Sequence, residues 1–365
     1  MNEVQLAAWL DNFSGQGVKA CIGLDGFVDR IIRVVDKRIS PTEHTYVRTL
    51  GDYGNMVSAA AGLSLNVEII PKVQKLGGNG PIMANAMARL GAEVSCVGAF
   101  GLPAPTPEYT EMGKRVALYS VAQPACTDAY EFDDGKIMAS ALESLNTLSW
   151  DTLMGALGVE MLVRLFEQAE LIALNNWTMI PHMSHIWRHL QEDVFPRLTP
   201  RRRVIFLDLA DPAKRTKGDI RGAIETMAGF SPFGEVYLSC NKREAMILSR
   251  VLGEEADGAD MGAAAQILQE RLHIAAVSIH TLEGSFACVQ GEVIAAPGFF
   301  VDKPLISVGG GDHFNAGLAW GMMSGLPMYD AMVLASAVSG YYVRTGVTPD
   351  RSQLAEFLRT EKAGA

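Results

Sequence analysis

Four short apolar runs constrain the fold of this chain: Leu171-Ile172-Ala173-Leu174, Val204-Ile205-Phe206-Leu207, Val236-Tyr237-Leu238-Ser239 and Ala275-Ala276-Val277-Ser278-Ile279. None alternates apolar with polar residues in the way of a half-exposed strand, so each reads as a strand buried on both faces. Stretches with helical character stand between them, over 162–169, 185–191 and onward from Glu244. Strands alternating with helices make a mostly parallel central sheet with helices on both faces, an α/β fold. The runs 18–23 and 94–98 add strands, and 286–290 with 293–297 reads as a hairpin-like pair. Ligands bind such sheets at the C-terminal ends of the strands.

One stretch breaks the alternation. In Thr127-Asp128-Ala129-Tyr130-Glu131-Phe132-Asp133-Asp134-Gly135-Lys136-Ile137-Met138 the pair Asp134-Gly135 lies between extended segments, a hairpin signal. Together with 67–70 and 33–35 it can build a small separate sheet; the alternative is an edge extension of the main one. No linker, charge run or low-complexity segment divides the 365 residues, which predicts one large domain over 1–365 with a small accessory element. A net charge of −10 disfavours nucleic acid as a partner. No apolar segment is long enough to span a bilayer. The first residues carry no secretion signal and the five cysteines show no CxxC pairing, so reduced thiols and a cytoplasmic location are expected.

The run Ser307-Val308-Gly309-Gly310-Gly311-Asp312, followed by the small-residue stretch 314–323, carries the chemistry. Glycines let backbone N–H groups turn toward one point, and the helix that follows aims its positive end there. This makes an anion site suited to phosphate. Asp312 stands at its mouth, where a carboxylate can take a proton from an attacking hydroxyl. The bland alternative is a glycine turn that starts a helix, with Asp312 as its cap. A second glycine loop, Gly77-Gly78-Asn79-Gly80, opens another small-residue helix that stops at Gly91. It can be a tight strand-to-helix connection. A dinucleotide loop is disfavoured because Met83 stands where the third glycine belongs. Between the two loops, Asn241-Lys242-Arg243-Glu244 follows a strand.

In these motifs, taken in order, the chain resembles the ribokinase-like (PfkB) family of sugar kinases. Gly77, Gly78, Ala84, Leu90 and Gly91 match its first signature. Gly309, Gly311, Asp312, Phe314, Ala316 and Gly317 match its second, and Asn241 with Glu244 its Asn-x-x-Glu motif. The resemblance implies ATP and Mg²⁺ as cofactors and a sugar as acceptor. In it Asp312 is the general base, working without a large pKa shift, and the 309–311 amides, Gly310 included, steady the moving phosphoryl group. Asn241 and Glu244 hold Mg²⁺, through water. The adenine rests near Ser336 and Gly340, and the small sheet, near 30–75 and 120–140, is a lid that can also join two copies into a homodimer. Three departures stand out. Ile306 replaces an acid that some members use toward a monovalent cation site, Ile82 replaces an asparagine, and after Asp208 the expected Asp-x-Asn-x-Arg element is missing.

At the sugar end, Asp25 can grip a pair of hydroxyls, and Asn79 offers a donor and an acceptor. Asp29 is expected to cap or ion-pair with the Arg30–Arg33 stretch instead. Asn175-Asn176-Trp177 ends a strand; Asn176 is taken as a sugar contact, against a buried tryptophan with turn-forming asparagines. His182, His185 and His189 read as a partly exposed helix face rather than a metal site. Readings of another kind are a nucleoside or vitamin kinase of the same fold, a nicotinamide oxidoreductase, and a non-catalytic sugar-binding regulator.

Overall fold

The computed structural model describes residues 1–15, 17–254, 258, 260–306 and 308–364; Ser307, which opens the glycine motif, lies outside the described residues. The strands are β1 (Lys19–Leu24), β2 (Phe27–Arg38), β3 (His44–Tyr46), β4 (Ile69–Gly77), β5 (Glu93–Gly98), β6 (Val116–Ser120), β7 (Ala125–Phe132), β8 (Gly135–Ala141), β9 (Leu171–Asn175), β10 (Val204–Asp208), β11 (Glu235–Asn241), β12 (Ala276–His280), β13 (Gly284–Val289) and β14 (Glu292–Pro297).

They form two sheets. The main sheet has nine strands in the order β14-β13-β12-β11-β10-β9-β1-β5-β6. Every pair from β12 to β6 is parallel, and β12-β13-β14 is antiparallel. β9 and β10 bury every residue. Ile172, Leu174, Ile205 and Leu207 feed the core on one face. Leu171, Ala173, Val204 and Phe206 feed the other, with the helices Asn79–Arg89, Gly310–Met323 and Met328–Thr345. A strand covered on both faces has no side to leave polar, which is why these runs do not alternate.

Strand order reverses around β1. The chain goes from β1 to β5 and β6 on one side, then returns to β9 on the other and moves outward to β12. A crevice opens where the connections diverge, and Asp25 follows β1 there while Asn175 ends β9.

The second sheet has five strands, in the order β3-β2-β7-β8 with β4 on β2. β7 and β8 pair with β2 and with each other, so the edge-extension alternative fails. The hairpin turn is Asp133-Asp134, one position earlier than expected, because Gly135 already pairs with Phe132. The strand expected over 67–70 instead starts at Ile69 and runs to Gly77. A helix, Leu50–Ala59, packs on this sheet through Leu50, Tyr53 and Met56 against Val34, Val47 and Phe132.

Candidate active site

The site forms where three helices start at the C-terminal edge of the main sheet. Each start leaves backbone N–H groups without a helical partner, and each is treated differently. At the helix Asn79–Arg89 the protein's own Asp25 takes the place of an anion. Its Oδ2 accepts from Asn79 N–H at 2.8 Å and its Oδ1 from Gly80 N–H at 2.8 Å. At the helix Lys242–Val251, Asn241 and Glu244 cap the backbone reciprocally. The Asn241 side chain accepts from Glu244 N–H at 3.0 Å, and Glu244 Oε2 accepts from Asn241 N–H at 2.9 Å. The third helix, Gly310–Met323, begins at Gly309 with no side-chain cap. Gly309 has φ 89°, a left-handed conformation that glycine tolerates best. The open start is the one that sequence reading assigned to phosphate.

Asp312 does not cap its helix. It lies in the first turn, buried, and its Oδ1 accepts from Asn79 Nδ2–H at 2.8 Å. Asn176 Nδ2–H donates to Asp25 Oδ2 at 2.7 Å. Asn79 thus joins Asp25, which follows β1, to Asp312, far along the chain. Gly77 is required here because a Cβ would stand 2.4 Å from the Asp29 carboxylate.

Burial governs the acids. Asp25 is pushed up to about 6, first by loss of water, although hydrogen bonds from Asn176, Gly80 and Asn79 hold it down. Asp208 is likewise pushed up to about 6 by burial. Burial and then the charge of Asp208 push Glu244 up to about 9. Asp312 is raised well above the ordinary carboxylate range, by burial and by the charges of Asp208 and Asp25. Asp312 thus carries a raised pKa that the expected mechanism does not need, because four acids share one desolvated crevice.

Other expectations need correction. Asp29 does not serve Arg30–Arg33. Arg30 pairs with Asp128 at 2.6 Å and Arg33 with Asp133 at 3.2 Å. Asp29 is buried, opposite Lys75 in the β2–β4 register, with its pKa raised by burial and eased by Lys75. Asp25, expected to grip a pair of hydroxyls, meets protein donors instead. It is fully buried and three protein donors already occupy a carboxylate that has about four acceptor positions. Asn176 donates one Nδ2–H to Asp25 and accepts from Met179 N–H at 3.2 Å, which leaves it one further donor and one acceptor position. Trp177 is core, its Nε1–H donating to Ser184 Oγ at 2.8 Å. Asn175 is buried against Met83. His182 and His185 are exposed, and His189 bonds to Asp193 at 2.8 Å.

Asn315, whose Nδ2–H donates to Asp208 Oδ2 at 2.6 Å, Lys75, Tyr342 and His313 also belong to the site, although none is a motif residue. Asn315 lies three residues after Asp312, one turn along the same helix, which was a usable signal. Lys75 and Tyr342 carried none.

A cleft of about 450 Å³ opens beside the uncapped helix start. Gly310, Gly311, Asn241, His280, Ser336 and Gly340 line it, whereas Glu244 and Gly309, also expected at the nucleotide end, do not. Among the described residues, no group of three or more His, Cys, Asp or Glu could hold a metal ion directly. Glu244, surrounded by the charges of Asp208, Asp211 and Asp312, suits a hydrated Mg²⁺ carried on phosphates.

The fold and this site define an α/β kinase of the ribokinase-like class. The chain matches the prokaryotic ketohexokinase family over residues 11–360 and belongs to that family. It is 31% identical over 343 residues to a ketohexokinase of Haloferax volcanii, covering 93% of this chain and 91% of that one. An Arabidopsis thaliana ribokinase complexed with ribose and ATP has the same fold, with a TM-score of 0.63 at 17% identity over 94% of this chain and 99% of its own. An adenosine kinase of Sinorhizobium meliloti gives a TM-score of 0.66 at 16% identity, over 95% and 99%. The chain is an ATP-dependent phosphotransferase acting on a sugar hydroxyl.

Proposed function

We propose that the acceptor is a ketohexose and that Asp312 is the base that takes the proton of the attacked hydroxyl. The hydrogen-bonded line Asp25–Asn79–Asp312, ending at an uncapped helix start, carries this reading. It puts a carboxylate of high proton affinity next to backbone amides able to receive a phosphoryl group. A base with a raised pKa draws a proton more strongly than an ordinary aspartate. The amides of the 309–311 turn supply fixed donors for the charge that develops on the transferred group.

Asn79 orients Asp312 and offers its amide oxygen to a sugar hydroxyl. Asp25 and Asn176 hold the 77–80 loop in place for it. Asp29, with Lys75 opposite, presents polar groups from the small sheet, which acts as the lid. Mg²⁺, on the Asn241–Glu244 side, supplies charge neutralisation for the phosphates. The likeness to a ketohexokinase along nearly the whole chain supports the acceptor class.

We also infer a single domain with its lid, a cytoplasmic setting where ATP is at hand, and a homodimer in which a second copy covers Val73, Ile137 and Met138, apolar residues exposed on the small sheet. ADP release with Mg-ATP, measured across ketohexoses, aldoses and nucleosides, tests the acceptor. The highest kcat/KM is expected with a ketohexose. A nucleoside or an aldose in first place would overturn the acceptor class.

A further inference from the structure

The carbonyl side of the 308–311 turn is pinned by side chains that the signatures do not match. Tyr342 Oη–H donates to the Val308 carbonyl at 3.0 Å. The His313 ring lies flat on the Tyr342 ring, 3.7 Å between centroids and 12° between planes. His313 Nδ1 is 2.7 Å from the Gly309 carbonyl and Nε2 is 2.9 Å from Thr348 Oγ1. A carbonyl only accepts, so Nδ1 carries the proton and Nε2 accepts from the threonine hydroxyl. Each peptide unit is planar, with its N–H directed opposite its C=O. Holding the Val308 and Gly309 carbonyls on one side therefore aims the Gly309 and Gly310 amides to the other.

This pair is touched from the small sheet. Lys75, on β4 and two residues before Gly77, reaches across to donate from Nζ to Tyr342 Oη at 3.2 Å. Asp29 stands directly opposite it on β2, so its charge acts on the lysine from the same sheet. Tyr342 Oη accepts from the lysine and donates to the turn. Hydrogen bonds linked in this way polarise and strengthen one another.

We propose that Lys75, Tyr342 and His313 are positioning residues that transmit the placement of the small sheet to the phosphate-binding turn. The lid thereby organises the amides at the far end of the site as well as covering the sugar. This rests on the reading of the 309–311 turn as the phosphate site.

The test uses Lys75→Met, Lys75→Arg, Tyr342→Phe and the Lys75→Met/Tyr342→Phe double variant, with steady-state kinetics for sugar and ATP. Each single loss should lower kcat about five- to tenfold, the scale of one hydrogen bond, with a smaller change in sugar KM. The double variant should fall within about twofold of the worse single, since both cut one link. Lys75→Arg should recover most of kcat. Losses that multiply, or a Lys75→Met effect confined to sugar KM, would overturn the relay and make Lys75 a plain sugar contact. Amide exchange on ligand-free Lys75→Met is a second measurement, independent of turnover and of how Tyr342→Phe folds. Faster exchange at the His313 amide, which donates to the Gly309 carbonyl at 3.0 Å, is expected, and wild-type protection there would overturn the relay. A wild-type protein that phosphorylates no sugar would instead fail the underlying reading, whatever the exchange shows.

Discussion

Asp312 combines burial, acidic neighbours and a single donor from Asn79, and that combination sets its chemistry. Asp312→Asn keeps the size of the side chain but removes the proton acceptor. It should lower kcat by about 10²–10⁴-fold and leave nucleotide affinity nearly unchanged. Near-wild-type turnover would show that another group is the base. The base must be ionised to act, so kcat/KM should fall as pH drops through its pKa. Burial raises that pKa, so the acid limb of the profile should lie well above the ~3.9 of an ordinary aspartate. Ile306 leads to a second expectation at this scale. An aliphatic side chain gives a monovalent ion no oxygen, and the neighbouring Val308 and Gly309 carbonyls already accept from Tyr342 and His313. Rates in matched K⁺, Na⁺ and tetramethylammonium buffers should agree. A several-fold selective rise with K⁺ would refute this.

At the level of elements, the three helix starts explain why similar glycine- or asparagine-led sequences do different things. Asp25 fills the first, a capping box closes the second and the third stays open. The Asn241–Glu244 pair is a structural cap and, on the proposed reading, the acid nearest the metal. Glu244→Gln keeps an oxygen for the Asn241 N–H, so the helix should remain capped. The Mg²⁺ concentration needed for half-maximal rate should rise, with little change in sugar KM. An unchanged Mg²⁺ titration with a large rise in sugar KM would reverse the two ends of the site. The small sheet, too, rests on pairings that join β2, β4 and β7 from distant parts of the chain. Its hairpin was legible because the turn is local. The Leu50–Ala59 helix was not, since two glycines interrupt it and every residue of it is at least partly exposed, leaving only the short stripe Leu50, Tyr53 and Met56.

For the whole molecule, gathering acids in one crevice has a cost that depends on pH. The folded values of Asp25 and Asp208, about 6, and of Glu244, about 9, lie above those of an unfolded chain. The folded state thus holds these protons more tightly, and the stability they contribute is lost as pH rises through those values. His280 and His313, pushed down to about 4 by burial, weaken the fold only below the ordinary histidine range. Asp25 and Asp208 have lost most of their share by about pH 6.5, so between about pH 6.5 and 8.5 Glu244 carries the effect; the melting temperature should fall as pH rises, and MgCl₂ should restore more of it at the upper end. Scanning fluorimetry across that range would refute the account if the melting temperature held level or climbed.

How much of this was open to a reader of the sequence follows from the range of the forces involved. Burial on both faces of a strand writes itself into consecutive apolar residues, so β9, β10, β11 and β12 could be read directly, and with them the parallel sheet. Glycines at tight turns and the acid after them are neighbours in sequence, so Asp312 and both loops were visible too. Tertiary structure alone decided what those groups meet. Asn79 joins Asp25 to Asp312, Asn315 reaches Asp208, Asp29 faces Lys75 instead of its neighbouring arginines, and Tyr342 supports a turn 34 residues before it. These contacts, and the desolvation that raises the carboxyls of the crevice, arise only when distant segments exclude water together, and a linear pattern of residue types does not record which segments those will be.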